Sequence, residues 1–311
     1  MAKDFQGNIV LNSRVKEILR LLDRSPLPAH LIREASVTFG TEEHPDGSFM
    51  SDRRVRQKMQ QLVEAELVCE HDFTIAGRGV MKFYQMAPAG YRVLYQDEPP
   101  EEHRKFFRPI AKLNWEHTYA NAKVIVKTVV AAHRAGIRIT SFCRENELQL
   151  ETPAYKLSPD HFFQYHHGGR FFNVFHEVDL NTETLDSMNP KSWRQRILAY
   201  DVYQDHLLNI WKQNRKREPE PRFRVNFLTT TTDHAYRFLN LVHDLLADRR
   251  RLLFYASTMD EYLNDDDPLR QPILLDHHGR WQAIIHLHPA ASFARLPVKF
   301  PRQSLAPSIA V

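Results

Sequence analysis

Three acids in the middle of the chain are spaced for chemistry. Asp160 follows a proline in Lys156-Leu157-Ser158-Pro159-Asp160, and Glu177 and Asp179 stand two apart at the end of a largely apolar run that starts at Phe171. Residues two apart on a strand project from the same face. Asp160 lies on the partner strand, across the turn His166-His167-Gly168-Gly169, so a hairpin brings all three carboxylates to one sheet face. Three anions on one face repel each other unless a cation or a proton intervenes. Oxygen-rich sets of this kind suit Mg2+ or Mn2+. A metal so held activates water and offsets the charge that develops on a phosphodiester. The plainer alternative is a solvated strand face. His161, His166, His167 and His176 lack zinc-ligand spacing, and His176 falls on the face opposite Glu177.

A second group is basic. Arg53, Arg54, Arg56, Gln57 and Lys58 open a helix that starts after Ser51. Arginine and glutamine pair with base edges in a major groove, and lysine pairs with phosphate. Arg78 and Lys82 follow on a hairpin, within reach of a DNA backbone or minor groove. A solvated helix face is the alternative, and Glu64, Glu66, Glu70 and Asp72 oppose DNA contact. Lys212, Arg215, Lys216 and Arg217 form a further basic run, suited either to phosphate or to a solvated helix end.

The elements that position these groups follow from periodicity and punctuation. Asn12 or Ser13 caps a helix carrying Val15, Ile18, Leu19 and Leu22, and Pro26 and Pro28 end it. A short helix with Leu31, Ile32 and Ala35 precedes the basic helix, whose apolar face is Val55, Met59, Leu62 and Val63. Two strands, 67–70 and 82–86, flank a turn at 76–79, and Pro88 opens a last short helix. Asp97-Glu98-Pro99-Pro100-Glu101-Glu102 continues neither helix nor strand. It predicts a first domain over 1–96, a linker over 97–110 and a second domain over 111–311. The second domain reads as a helix over 116–134, a strand at 136–141, the acidic hairpin, a helix from Pro190 to Trp211, a strand at 223–228, a helix over 233–248 and a closing strand at 252–255. Trp193, Tyr200 and Tyr203 read as packing.

Composition narrows the function classes. The 311 residues are 42% hydrophobic and 26% charged, enough to build cores. No apolar run is long enough to span a bilayer, and the N-terminus lacks a signal-peptide core, so a soluble cytoplasmic protein with no membrane partner is expected. Two cysteines exclude a disulfide framework, and the glycine pattern excludes a P-loop or Rossmann site. A net charge of +4 permits a nucleic-acid partner.

Three resemblances sharpen this reading. Leu62-Val63-Glu64-Ala65-Glu66-Leu67-Val68, followed by Tyr84-Gln85-Met86-Ala87-Pro88-Ala89-Gly90, resembles winged-helix DNA-binding domains. Pro159-Asp160 with Glu177-Val178-Asp179, in an order of helix, three strands, helix and strand, resembles the PD-(D/E)xK nuclease core, with Asp179 where the usual lysine stands. Adding Thr182-Glu183 and Trp193-Arg194-Gln195-Arg196-Ile197-Leu198-Ala199-Tyr200, the chain resembles the replication-relaxation family of plasmid and mobile-element proteins over about residues 10–260. The resemblance implies an α+β or α/β protein, an N-terminal winged helix-turn-helix followed by a nuclease-like mixed-sheet domain. It implies binding of double-stranded DNA in replication, relaxation or processing, alongside protein partners of a replication or mobilisation complex. It further implies either a Mg2+- or Mn2+-dependent endonuclease or a non-catalytic regulator with a degenerate nuclease fold. An aspartate cannot supply the missing lysine's charge, so Lys156, Lys191, Arg194 or Arg196 must. The implied catalytic set is Asp160, Glu177, Asp179, Lys191 and Arg196, with the three acids as metal ligands.

Overall fold

The computed structural model describes residues 11–40, 47–75, 79–101, 105–111, 114–145, 147–214 and 220–285. Arg78, the basic residues Arg215, Lys216 and Arg217, and the tail beyond 285 lie outside them. The described chain is a mixed α+β fold in two compact units, Met1–Val130 and Ala131–Val311. No helix among the described residues is long and apolar enough to cross a membrane.

In the first unit, α1 (Ser13–Arg24) starts where Asn12 accepts the Val15 N–H at 3.0 Å. Val15, Ile18, Leu19 and Leu22 are buried, as the helical period requires. β1 (Leu27–Pro28), α2 (Ala29–Ala35) and α3 (Asp52–Glu64) follow. Ser51 caps α3 by accepting the Arg54 N–H, and Val55, Met59 and Leu62 face inward. β2 (Val68–Ile75) and β3 (Gly79–Met86) form an antiparallel hairpin, and β1 extends it into a sheet of order β1-β3-β2. α4 (Pro88–Tyr95) carries Pro88 in its first turn, where no N–H partner is lost. Gly90 within it is a packing requirement, because a Cβ there would stand 2.3 Å from the Leu67 carbonyl oxygen.

α5 (Trp115–Arg134) adds Ala122, Val126 and Val130 to the core of this first unit. The segment before it also folds back. Phe107 meets the Tyr91 ring edge-on at 6.1 Å, and the Gln85 side-chain amide donates to the Arg108 carbonyl at 3.3 Å.

The second unit is built on a seven-stranded sheet of order β12-β11-β10-β9-β8-β7-β4. Its strands are β4 (Arg138–Arg144), β7 (His161–His167), β8 (Arg170–Asp179), β9 (Arg224–Thr229), β10 (Phe254–Thr258), β11 (Leu274–Asp276) and β12 (Trp281–Gln282). β8, β9 and β10 run parallel, and the other pairs are antiparallel. A small separate pair, β5 (Leu150–Glu151) and β6 (Lys156–Leu157), stands between β4 and β7 in sequence. The helices are α6 (Trp193–Gln213), α7 (Thr232–Leu245) and α8 (Met259–Asn264). α6 and α7 share an apolar core with Phe162, Phe175, Val225, Phe227, Phe254 and Ala256 of the sheet.

Two expectations are corrected. Asp160 stands one residue before β7 rather than within it. The strand expected at 252–255 runs from Phe254 to Thr258 and does not close the sheet. α8 follows under a capping box of Thr258 and Glu261, and the β11–β12 hairpin then extends the sheet. That hairpin turns on Asp276, whose Oδ1 accepts the N–H groups of His278 and Arg280.

Candidate functional site

The period of two holds along β8. Phe175, Glu177 and Asp179 face α6 and α7, whereas His176 faces the other side among His161, Tyr165 and Asn226. Glu177 and Asp179 are 1% and 2% exposed, which removes the solvated-face alternative.

Each of these acids meets donors from the helices. Arg196 Nη2 donates to Glu177 Oε2, and the Tyr200 hydroxyl donates to Glu177 Oε1. Both donors come from one face of α6, four residues apart. The Arg196 guanidinium also lies 5.0 Å from the Trp193 ring centroid. Trp193 Nε1 donates to Asp179 Oδ2 at 2.9 Å, and His234 Nε2 of α7 meets the same oxygen at 2.9 Å. Asp179 Oδ1 accepts the Thr182 N–H at 3.2 Å. Asp160 is half-buried, and its Oδ2 accepts the Val178 N–H at 2.8 Å. That bond ties it across to the strand that carries Glu177.

Burial dominates the electrostatics. Desolvation pushes the Glu177 carboxyl up to about 7, against the pull of Arg196, and the nearby Asp160 charge pushes the same way. Burial works against the Arg196 charge, but Glu177 more than restores it, and the guanidinium is held above its ordinary value. Burial, then the Glu177 charge, raises Tyr200 well above its usual range, so the phenol remains a donor.

Of the expected set, the structure brings Glu177 and Arg196 into contact and sets Asp160 within electrostatic reach of both. Lys191 is exposed in the turn before α6, and no ion pair joins it to Glu177 or Asp179 among the described residues. Arg194 pairs with Asp186, and Lys156 pairs with Glu151 at 2.6 Å. Three partners have no polar role in the sequence pattern: Trp193 and Tyr200, which read as packing, and His234. Only the strand order shows that α7 follows the neighbour of β8, which is what carries His234 to Asp179.

This arrangement does not fit a divalent cation as it stands. The Glu177 oxygens hold Arg196 and Tyr200, and Asp179 Oδ2 holds Trp193 and His234. Arg196 supplies the positive charge that a metal would bring. Among the described residues, no group of three or more His, Cys, Asp or Glu side chains is placed to hold a metal ion.

On the first unit, Arg53, Arg54, Arg56 and Gln57 are exposed on α3, and Lys58 is half-buried. Burial, then the Arg14 charge, lowers the Lys58 ammonium below its ordinary value. Lys82 donates to Glu70 at 3.0 Å and lies 3.9 Å from Asp72, so its charge is met within the hairpin.

Fold and sites together define a mixed α+β protein with a basic helix on one unit and an acidic set met by helix donors on a mixed sheet in the other. The chain belongs to the replication-relaxation family, whose pattern matches residues 27–214. Two solved structures show a faint likeness. The restriction endonuclease FokI bound to DNA is 13% identical, with a TM-score of 0.26 over 82% of this chain and 44% of that one. The free restriction endonuclease FokI is 12% identical, with a TM-score of 0.26 over 86% and 45%. The chain spans less than half the length of either. No curated protein matches it.

Proposed function

We propose that this chain is a DNA-binding protein acting in replication or relaxation of plasmid or mobile-element DNA, and that its nuclease-like unit serves assembly rather than strand cleavage. One observation carries the choice: the Glu177 carboxylate is occupied by Arg196 and Tyr200. A water-activating metal would have to displace both donors.

In this reading the first unit is a winged helix. Three helices and an antiparallel hairpin with a short third strand support it, as does the exposure of Arg53, Arg54, Arg56 and Gln57 on the third helix. That helix enters the major groove, the arginines and Gln57 meet base edges or phosphates, and Ser51 fixes its start. Lys82 contributes little, because Glu70 already holds it.

The reading is tested by duplex binding of the Arg53→Ala/Arg54→Ala/Arg56→Ala variant across a salt series. Affinity is expected to fall strongly and the salt slope to flatten, by about 0.9 for each phosphate that is no longer neutralised. Unchanged affinity and slope would remove α3 as the contact surface. Cleavage that requires Mg2+ or Mn2+ and disappears in both Asp160→Ala and Glu177→Ala would instead establish the endonuclease reading.

A further inference from the structure

α3 opens with Arg53, Arg54, Arg56, Gln57 and Lys58, and the helix turn spreads these side chains around its axis. Each residue advances about 100°. Val55, Met59 and Leu62 are fully buried and fix the inner side of the helix. Arg53, Gln57 and Gln60 form the ridge opposite, and all three are exposed. Arg54 and Arg56 are exposed too, and stand about 70–90° to either side of that ridge.

The side chains also differ in what already holds them. Lys58 donates to Gln61 at 3.3 Å, and Gln60 donates to Glu64 at 3.2 Å. The other acid of the helix, Asp52, pairs with Arg33 at 3.1 Å. Among the described residues, the side chains of Arg53, Arg54, Arg56 and Gln57 make neither a hydrogen bond nor an ion pair. Three guanidinium groups and one amide are thus held by nothing within the chain, and the acids of their own helix are met by other partners.

An α-helix with its side chains is about 10–12 Å across, and the major groove of B-DNA is about 12 Å wide. A helix lying in that groove turns its outer ridge to the base edges and its flanks to the two phosphate walls. We propose that Arg53 and Gln57 read bases, guanine and adenine respectively, and that Arg54 and Arg56 clamp the phosphates on the two sides of the groove. This division of roles rests on the reading of α3 as the DNA contact. An arginine fork matches guanine O6 and N7, and a glutamine amide matches adenine N6 and N7. Residues four apart are separated by about 6 Å along the axis, so the two bases lie within about two base-pair steps of each other. Gln60 continues the ridge, but Glu64 holds its amide, so it adds no base contact. The flanking arginines position the helix and carry no sequence information.

The test uses two fluorescein-labelled duplexes, one enriched by the wild type from a randomised pool and one with the same bases shuffled, read by anisotropy across a salt series. The full-length proteins are wild type, Arg53→Lys/Gln57→Ala, Arg54→Ala/Arg56→Ala, and the α3 triple alanine variant. Urea midpoints check that each is folded. Arg53→Lys/Gln57→Ala keeps the charge and loses the fork and the amide. It is expected to lose on the order of tenfold in preference for the enriched duplex, with an unchanged salt slope on the shuffled one. Arg54→Ala/Arg56→Ala is expected to bind both duplexes on the order of tenfold more weakly, with slopes shallower by about 1 to 2, and to keep the preference. A preference that survives in the first variant, or is lost in the second, overturns this division of roles and leaves α3 as the contact surface. So does a wild type that binds DNA but enriches no sequence. If the triple variant binds both duplexes like wild type, the reading of α3 as the contact falls and the division falls with it. A wild type that binds no DNA overturns both.

Discussion

Glu177 and Arg196 form the pair at the centre of the second unit's acidic set: Glu177 is buried, Arg196 is half-buried, and each meets the other's charge. Removing one partner of such a pair leaves an uncompensated charge. Arg196→Met is therefore expected to destabilise by about 3–5 kcal/mol, measured as a shift in urea unfolding free energy near neutral pH. The pH sense follows from the raised Glu177 carboxyl at about 7. Between its unfolded value and about 7 the native state binds more protons than the unfolded state. This group's contribution to stability is thus full at low pH and is lost as pH rises through about 7. Urea midpoints of wild type at pH 5 and pH 8 should show that loss, and Glu177→Gln should abolish this part of it. The deficit of Arg196→Met should be smaller at pH 5 than at pH 8, because a protonated Glu177 needs no cation. An equal deficit at both pH values would show that Glu177 titrates outside this range. The acids themselves were legible from a period of two along one strand, and Arg196 was among the cations expected to reach them. Tyr200, Trp193 and His234 were not, because a side chain that both packs and donates looks apolar in a sequence pattern. His234 also needs the strand order before it can be placed.

Elements with strong local signals stand where periodicity puts them. Asn12, Ser51 and Pro88 begin helices, and the hairpin residues around Gly168-Gly169 pair as expected. The far edge of the larger sheet was less legible. β11 and β12 have three and two residues, too short to show alternation, and the turn chemistry of Asp276 replaces it. The packing of α5 is another case. Its Ala122, Val126 and Val130 mark an apolar face, but not which core the face joins. Gly90 carries the sharpest prediction at this scale. Gly90→Ala would press a Cβ against the Leu67 carbonyl, and overpacking of this kind costs about 1–3 kcal/mol. A thermal midpoint unchanged from wild type would show that α4 shifts away without penalty.

At the scale of the whole molecule, the proposed DNA contact and the buried acids lie on different elements. α3 exposes Arg53, Arg54 and Arg56, whereas Glu177 and Asp179 are enclosed by helices α6 and α7. Glu177→Gln is therefore expected to leave duplex affinity within about twofold of wild type at a temperature where the variant is folded, as read by anisotropy, since exposed phosphate contacts set that affinity. The same separation predicts that EDTA does not weaken DNA binding.

The most direct test of the claim that the acidic set is filled by its own donors is calorimetric titration of Mn2+ into the full chain, wild type beside Glu177→Gln. The two titrations are predicted to superimpose, because Arg196 and Tyr200 already fill the Glu177 oxygens. A one-to-one Mn2+ site present in wild type and absent from Glu177→Gln would contradict it.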